Sequence, residues 1–151
     1  MSYRKQHISF RLLAMLLCFV FLVPTPAHAV EPRASYYLCS YTAYICHMGS
    51  GELQIWFSVA GEDEWADIGV LDIFLYESQD RTNWTWVKTF SFEDYPEMLD
   101  HDSSFHMSYV TYQGKLARYY RAYVCIWAGD EDANGDTRYI WTDVEFASPF
   151  T

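Results

Sequence analysis

Hydrophobic and polar side chains alternate along most of the chain after residue 35. Between Gly51 and Ala60, apolar residues at positions 53, 55, 57 and 59 alternate with mostly polar neighbours. This period of two is typical of a β-strand with one buried face. The same pattern, or an apolar run rich in β-branched and aromatic residues, predicts seven strands, A (36–48), B (52–60), C (68–77), C′ (84–90), E (104–112), F (119–128) and G (138–146).

These strands predict an all-β fold with one antiparallel domain. Polar turns separate the strands at regular intervals, and no interval leaves room for a crossover helix. Such spacing is typical of a single β-sandwich of the immunoglobulin or fibronectin type III kind, with about seven strands. An up-and-down β-barrel is the alternative.

The alternation also assigns faces to the last two strands. In strand F, the even-numbered residues from Tyr120 to Ile126 are predicted to face the core. In strand G, the residues expected to face the core are Ile140, Val144 and Phe146. The aromatic residues that then face outward form a candidate binding patch, which consists of Tyr119, Tyr123, Trp127, Tyr139 and Trp141. Exposed aromatic rings stack on sugars or anchor partner proteins, although cross-strand pairs of rings also simply stiffen a sheet.

The N-terminal segment predicts secretion. Basic residues at positions 4, 5 and 11 precede a run of apolar residues from Leu12 to Val23. Prolines 24 and 26 end this run, and residues 27–29 fit the A-x-A cleavage pattern. The run is too short to span a bilayer. We therefore expect a signal peptide at residues 1–29 and a secreted domain at residues 30–151, with no membrane insertion after cleavage.

The charge of the expected mature domain restricts its partners. Residues 30–151 contain 7 basic and 20 acidic side chains, which gives a net charge of −13. Nucleic acids and anionic membrane surfaces are bound through cationic contacts, so we expect neither as a partner. An extracellular protein, a glycan or a cation fits the composition better.

Three cysteines remain after cleavage, namely Cys39, Cys46 and Cys125. An odd number leaves at least one thiol outside any intramolecular disulfide. Cys39 and Cys46 cannot pair within one strand, because seven residues at about 3.3 Å each separate them by roughly 23 Å. Cys125 is expected to face outward on strand F. We therefore predict at least one free thiol, or an intermolecular disulfide through it.

Several segments carry a resemblance to known domains. Residues 120–128, followed by a polar loop with Asn134-Gly135, look like the F strand and F–G turn of fibronectin type III domains. Nearly the whole mature chain resembles a family of small secreted proteins from Gram-positive bacteria, a domain of unknown function. The matching segments are 37–43, 84–90, 110–114 and 135–138. The resemblance implies a secreted bacterial β-sandwich and transfers no site residue.

The loop before strand G suggests a metal site. Its oxygen-bearing side chains alternate as Asp130, Asp132, Asn134 and Asp136, with a glycine at 135. This order is the first half of a calcium loop, but Trp141 stands where an EF-hand has its bidentate Glu. Calcium is therefore a hypothesis beside that of an ordinary Asn-Gly hairpin turn, and the fold requires no cofactor.

Acidic residues also cluster in the predicted loops. In a sandwich of this kind the B–C, C′–E and F–G loops meet at one pole. Residues 62–67, 93–102 and 130–136 carry 13 carboxylates and no Lys or Arg. Cations would relieve the repulsion between these carboxylates, although acidic loops also serve solubility alone.

The chain contains no motif of a serine hydrolase, a zinc protease or a phosphate-binding loop. We therefore predict a secreted, non-catalytic binding module of unknown ligand. The alternatives are a calcium-dependent carbohydrate-binding module and a small hydrolase that uses loop carboxylates.

Overall fold

The computed structural model describes residues 35–130 and 134–149, so the predicted signal peptide lies outside the described residues. They belong to the second of two compact units of the chain, Ala34–Thr151. They form one antiparallel sheet of seven strands, and their single helical element is a 3-10 turn at Pro96–Met98. The strands are β1 (Leu38–Gly49), β2 (Glu52–Ser78), β3 (Thr85–Ser91), β4 (Leu99–Gln113), β5 (Arg118–Gly129), β6 (Gly135–Trp141) and β7 (Glu145–Ala147). Within these residues, no helix is long and apolar enough to cross a membrane.

Strand β2 is the centre of the sheet, because it pairs with four other strands. Its first half lies between β1 and β4, so that Trp56 pairs with Tyr44 on one side and Tyr109 on the other. Its second half lies between β3 and β5, where Phe74 pairs with Thr89 and Tyr123. Strands β6 and β7 both extend the sheet beyond β5.

The sheet curls around one hydrophobic core. Register shifts along β2 interrupt its regular pairing with β3, β4 and β5, and such irregularities bend and twist a sheet. The backbone N–H of His47 on β1 donates to Glu145 Oε1 on β7 at 3.1 Å, which joins strands from different edges. The apolar side chains that alternate along β2, from Leu53 to Val59 and again at Ile73 and Leu75, are at most 1% exposed.

The predicted strands B and C form one continuous strand, so the expected B–C loop is wrong. The backbone of Gly61–Asp67 stays extended because tertiary contacts hold it. The N–H of Glu62 donates to Tyr37 O at 3.2 Å, and the indole N–H of Trp65 donates to the same oxygen at 2.9 Å. The carboxylates of residues 62–64 therefore extend from a strand that is anchored by the buried Trp65 ring.

The predicted strand G is two strands, β6 and β7, and the break between them reverses the faces. Thr142 leaves the β6 pairing but binds Ala122 twice, through its N–H and through its hydroxyl oxygen, both at 2.9 Å. After this break Ala147 is fully buried and Phe146 is 41% exposed, so the inward assignment of Phe146 is wrong. The assignment of strand F is confirmed, because the even-numbered residues from Tyr120 to Ile126 are fully buried. Ile140 packs against the core as predicted, whereas Val144 is half-buried and outside the core.

The hydroxyl of Tyr120 fixes the turn between β4 and β5. The backbone N–H of Lys115 donates to this hydroxyl at 2.7 Å, and the carbonyl of Lys115 lies 3.2 Å from it. The carboxylate of Glu77 lies 3.3 Å away on the neighbouring strand. Burial raises the pKa of Tyr120 to about 12, so the group remains a neutral hydroxyl that both donates and accepts.

We predict that Tyr120→Phe lowers the free energy of unfolding by about 1 to 3 kcal/mol, because the Lys115 N–H loses its acceptor. The matched control is Tyr119→Phe on the opposite face, whose hydroxyl makes no hydrogen bond to a described residue. Urea unfolding followed by tryptophan fluorescence measures both variants. Equal stability of the two variants would contradict a structural role for the Tyr120 hydroxyl.

Candidate functional site

The outer side of β5, β6 and the second half of β2 carries a group of aromatic side chains around one arginine. We call this surface the aromatic face. It consists of Tyr76, Trp84, Tyr119, Arg121, Tyr123, Tyr139 and Trp141. Strand register places these residues together, since Tyr123 pairs with Trp141 and Arg121 pairs with Tyr76.

Three of the five predicted binding residues form the centre of this face. Tyr123 lies 5.4 Å from Tyr139 with nearly parallel rings, and 4.7 Å from Trp141, as measured between ring centroids. Tyr76 adds a further ring, 5.5 Å from Trp141. Tyr139 is 55% exposed and Trp141 is 47% exposed. The supporting rings hold these two side chains in place while their outer surfaces stay open to solvent.

The other two predicted residues lie at opposite ends of β5. The Tyr119 ring packs against Phe146 in a tilted arrangement, with 4.8 Å between the ring centroids, and the Arg81 guanidinium lies 5.4 Å from the centre of the Tyr119 ring. Trp127 lies over Gly129 and Gly135 in the turn between β5 and β6, where a Cβ on either glycine would overlap its ring. Trp127 makes no ring contact with the other predicted residues in the described part of the chain. The structure therefore divides the predicted patch into a centre and two ends.

Sequence reasoning missed Arg121 and Trp84. The guanidinium carbon of Arg121 lies 4.2 Å from the centre of the Trp84 ring and 4.3 Å from that of Trp141. The signal was present, because the alternation that places Tyr119 and Tyr123 outward places Arg121 outward as well. Trp84 comes from the turn before β3, and its position could not be read from the pattern of β5.

Trp127 lines an open cleft of about 560 Å³ at the far end of β5. The cleft has apolar walls and three polar side chains at its rim, which is a common composition for a ligand site. The lining residues are Asp67, Leu71, Phe92, Pro96, Leu99, His101, Trp127 and Asp130.

The polar side chains of this cleft come from three strands or strand ends. Asp67 pairs with His101 on β4 and with Gly129 on β5, immediately before Asp130. The carboxylate oxygen of Asp67 lies 2.6 Å from Nδ1 of His101. Three of the predicted acidic segments thus do converge at one site. No local sequence pattern links His101 to Asp67, because the two residues are 34 positions apart in the chain.

Three of the four predicted calcium residues, Asp130, Asn134 and Asp136, are described, and they lie where β5 ends and β6 begins. The backbone N–H of Asp130 donates to the carbonyl of Asn134 at 2.9 Å. Asp136 forms a 2.5 Å ion pair with Arg138, which gives this carboxylate a cation from its own strand. Asp132 lies outside the described residues. Within residues 35–130 and 134–149, no three His, Cys, Asp or Glu side chains are grouped closely enough to hold a metal ion.

A second aromatic row lies on the outer side of the first half of the sheet. Trp56 lies 6.3 Å from Tyr44, with parallel rings, and 4.4 Å from Tyr109. Tyr44 and Tyr109 are 50% and 43% exposed. This row has exposed rings like those of the aromatic face, but the strand register brings no arginine to it.

All three described cysteines are free, and their exposure differs. Cys39 is exposed, Cys46 is half-buried, and both lie on β1 as the spacing argument required. Cys125 faces outward by alternation but is only 4% exposed, because it lies within the aromatic face, where it pairs with Tyr139 on β6. Burial raises the pKa of the Cys125 thiol.

No family model matches this chain, and neither does any curated protein. Among solved structures, the chain is similar to Spo0M, a sporulation control protein from Bacillus subtilis, with 12% sequence identity and a TM-score of 0.40. The similarity covers 73% of this chain and 50% of that chain, so the match spans half the length of Spo0M. At this level of similarity no activity or partner transfers.

We predict that a thiol reagent modifies Cys39 rapidly in the folded protein and Cys125 only after unfolding. The exposed thiol is accessible, whereas burial and a raised pKa keep the Cys125 sulfur covered and protonated. Titration with and without denaturant, with Cys125→Ala as the matched control, measures the difference. Rapid native modification that disappears in Cys125→Ala would contradict the burial of this thiol.

Proposed function

We propose that this protein is a secreted, non-catalytic binding module that binds glycans on its aromatic face. The observation that carries the proposal is the exposure of Tyr139 and Trp141 above the supporting rings of Tyr123 and Tyr76. Contiguous apolar patches on a protein surface often mark interaction sites, whereas singly exposed rings do not. A pyranose ring presents a flat face of C–H groups that packs well on an aromatic ring.

The pairing of the strands supports a fibronectin type III arrangement for the curled sheet. Strands β1, the first half of β2 and β4 correspond to the predicted strands A, B and E. Strands β3, the second half of β2, β5 and β6 correspond to C′, C, F and G. The hydrogen bond that the Lys115 N–H donates to the hydroxyl of Tyr120, near the start of β5, resembles the tyrosine corner of such sandwiches. The continuous strand β2, which replaces the B–C loop, departs from that pattern.

The expected compartment fits a glycan ligand. The signal peptide pattern at residues 1–29 supports secretion, and the resemblance to a bacterial secreted family supports the same location. Polysaccharides and glycosylated surfaces are the abundant ligands outside a cell, and an acidic protein does not compete for nucleic acids there.

The two alternatives would act at the other end of β5. A calcium-dependent module would use the turn that contains Asp130 and Asp136. A small hydrolase would use the cleft carboxylates Asp67 and Asp130, with His101 held by Asp67. The two alternatives predict different results in the binding experiment.

We predict that the purified domain binds glycans on an array, and that EDTA does not reduce the signal. The double variant Tyr139→Ala with Trp141→Ala should bind at least tenfold more weakly, because ring contacts at the centre of a site contribute more than about 1.4 kcal/mol. The matched control, Tyr44→Ala with Tyr109→Ala, removes two equally exposed rings from the second aromatic row and should bind normally.

The same experiment separates the alternatives. Loss of the signal in EDTA would favour the calcium-dependent module, and cleavage of glycans or peptides during incubation would favour the hydrolase. If no glycan binds, or if both double variants bind like the unmodified protein, the aromatic face is not a glycan site. Melting temperatures of all variants establish that each one is folded.

A further inference from the structure

Arg121 lies at the centre of the aromatic face without an anionic partner. It pairs with Tyr76 across β2, and its guanidinium lies over the rings of Trp84 and Trp141. Trp84 comes from the β3 side of the sheet and Trp141 from the β6 side, so the two rings approach from opposite sides of β5. These contacts hold the guanidinium in one orientation.

Arg121 differs from the other unpaired Lys and Arg side chains of the described residues because one of its guanidinium nitrogens is buried without a partner. Acidic residues outnumber basic ones by 20 to 7 in residues 30–151, yet among the described Lys and Arg side chains only Lys115 and Arg138 form ion pairs. The side chain of Arg121 forms neither an ion pair nor a hydrogen bond with any described residue. Its Nε–H is buried and has no hydrogen-bond partner within those residues. The chain contains many carboxylates, but none of the described ones pairs with this guanidinium.

A second arginine lies on this face. Arg81 lies over Tyr119 on the same face, and it also forms no ion pair with a described residue. Register places one carboxylate, Asp72, on this side of β2, where it pairs with Cys125. Cys125 is four residues along β5 from Arg121, a separation of about 13 Å. Screening in salt solution weakens the attraction between Asp72 and Arg121 over that distance.

The geometry determines which group would fit. A guanidinium that lies against ring faces keeps only the edge of its plane free for hydrogen bonds. At that edge the terminal N–H groups match the two oxygens of a carboxylate or sulfate in a bidentate pair. A cation beside aromatic rings is also partly desolvated, which strengthens its interaction with an anion.

We infer that Arg121 is a subsite for the oxyanion of an acidic glycan, such as a uronic acid or a sulfated sugar. This inference rests on the proposed function, because the sugar ring itself packs on Trp141 and Tyr139. The guanidinium then selects charged glycans over neutral ones, and the rings of Trp84 and Trp141 fix the orientation of the guanidinium.

The test compares charged and neutral forms of the same sugar. Oligogalacturonate and its methyl ester share one ring structure, and sulfated chondroitin oligosaccharides with their desulfated forms provide the second pair. The unmodified protein should bind at least one charged form at least tenfold more tightly than its neutral counterpart, and the affinity should fall as salt is added. The pair that shows this preference distinguishes a carboxylate ligand from a sulfate ligand.

Variants of Arg121 then connect the preference to the residue. Arg121→Met keeps an unbranched apolar stem and should abolish the preference for charge. Arg121→Lys keeps the charge, loses the planar pair of donors and should retain only a part of the preference. The control Arg118→Met changes the net charge equally, lies three positions before Arg121 on β5, and should leave the preference intact.

The outcomes separate this inference from the proposed function. A preference for charged glycans that is unchanged in Arg121→Met, together with glycan binding that is lost in the Tyr139 and Trp141 double variant, would overturn the anion subsite and keep the glycan module. Equal binding of esterified and free oligosaccharides, together with equal binding of sulfated and desulfated forms, would also overturn it, even if Arg121→Met does not fold. Failure of every glycan to bind would overturn both.

Discussion

Hydrogen bonding along both edges of β2 is the constraint on which the rest of the structure depends. Because β2 runs from Glu52 to Ser78 without a loop, it fixes the register of β1, β3, β4 and β5. Its inward side chains supply a large share of the core, and its outward side chains supply Trp56 to one aromatic row and Tyr76 to the other. The core and both exposed aromatic rows therefore share a single backbone element. A change that shifts its register would turn core side chains outward and displace both rows together.

The fold was predictable to the extent that alternation determines it. Periodicity located the strands and correctly buried the even-numbered residues of β5, since the burial of one face is a local property of a strand. It failed at Glu62–Glu64, where charged side chains indicate a loop but the backbone pairs with Tyr37. It failed again at Phe146, because the hydrogen bonds of Thr142 to Ala122 are tertiary and leave no periodic signal. Composition reports the environment of side chains, whereas the path of the backbone depends on partners far away in the chain.

The candidate site, like the fold, could be predicted from the sequence only in part. Tyr123, Tyr139 and Trp141 followed from facing directions on two adjacent strands, and the structure brings them together. Arg121 obeyed the same alternation, yet a charged residue on an outer face is ordinarily solvated, so its enclosure by two indoles could not be inferred. The Asp67–His101 contact depends on the pairing of β2 with β4 and was beyond any local pattern. Side-chain groupings on two strands that are adjacent in sequence can be predicted from alternation. Contacts between strands that are distant in sequence can be identified only from the structure.

The length of β2 also determines how the chain must reach its folded state. The turn at Ser50–Gly51 allows β1 and the first half of β2 to pair locally, but Glu52 meets Gln113 and Ile68 meets Ala128, about 60 residues along the chain in each case. The entropy of closing such loops is lost before the non-local pairs contribute any stability. Domains dominated by contacts of this range fold in milliseconds to seconds, far more slowly than helical bundles of equal size. Strand β2 therefore both unites the finished sheet and slows its folding. Until its partner strands pair with it, the edges of β2 remain open to pairing with other chains.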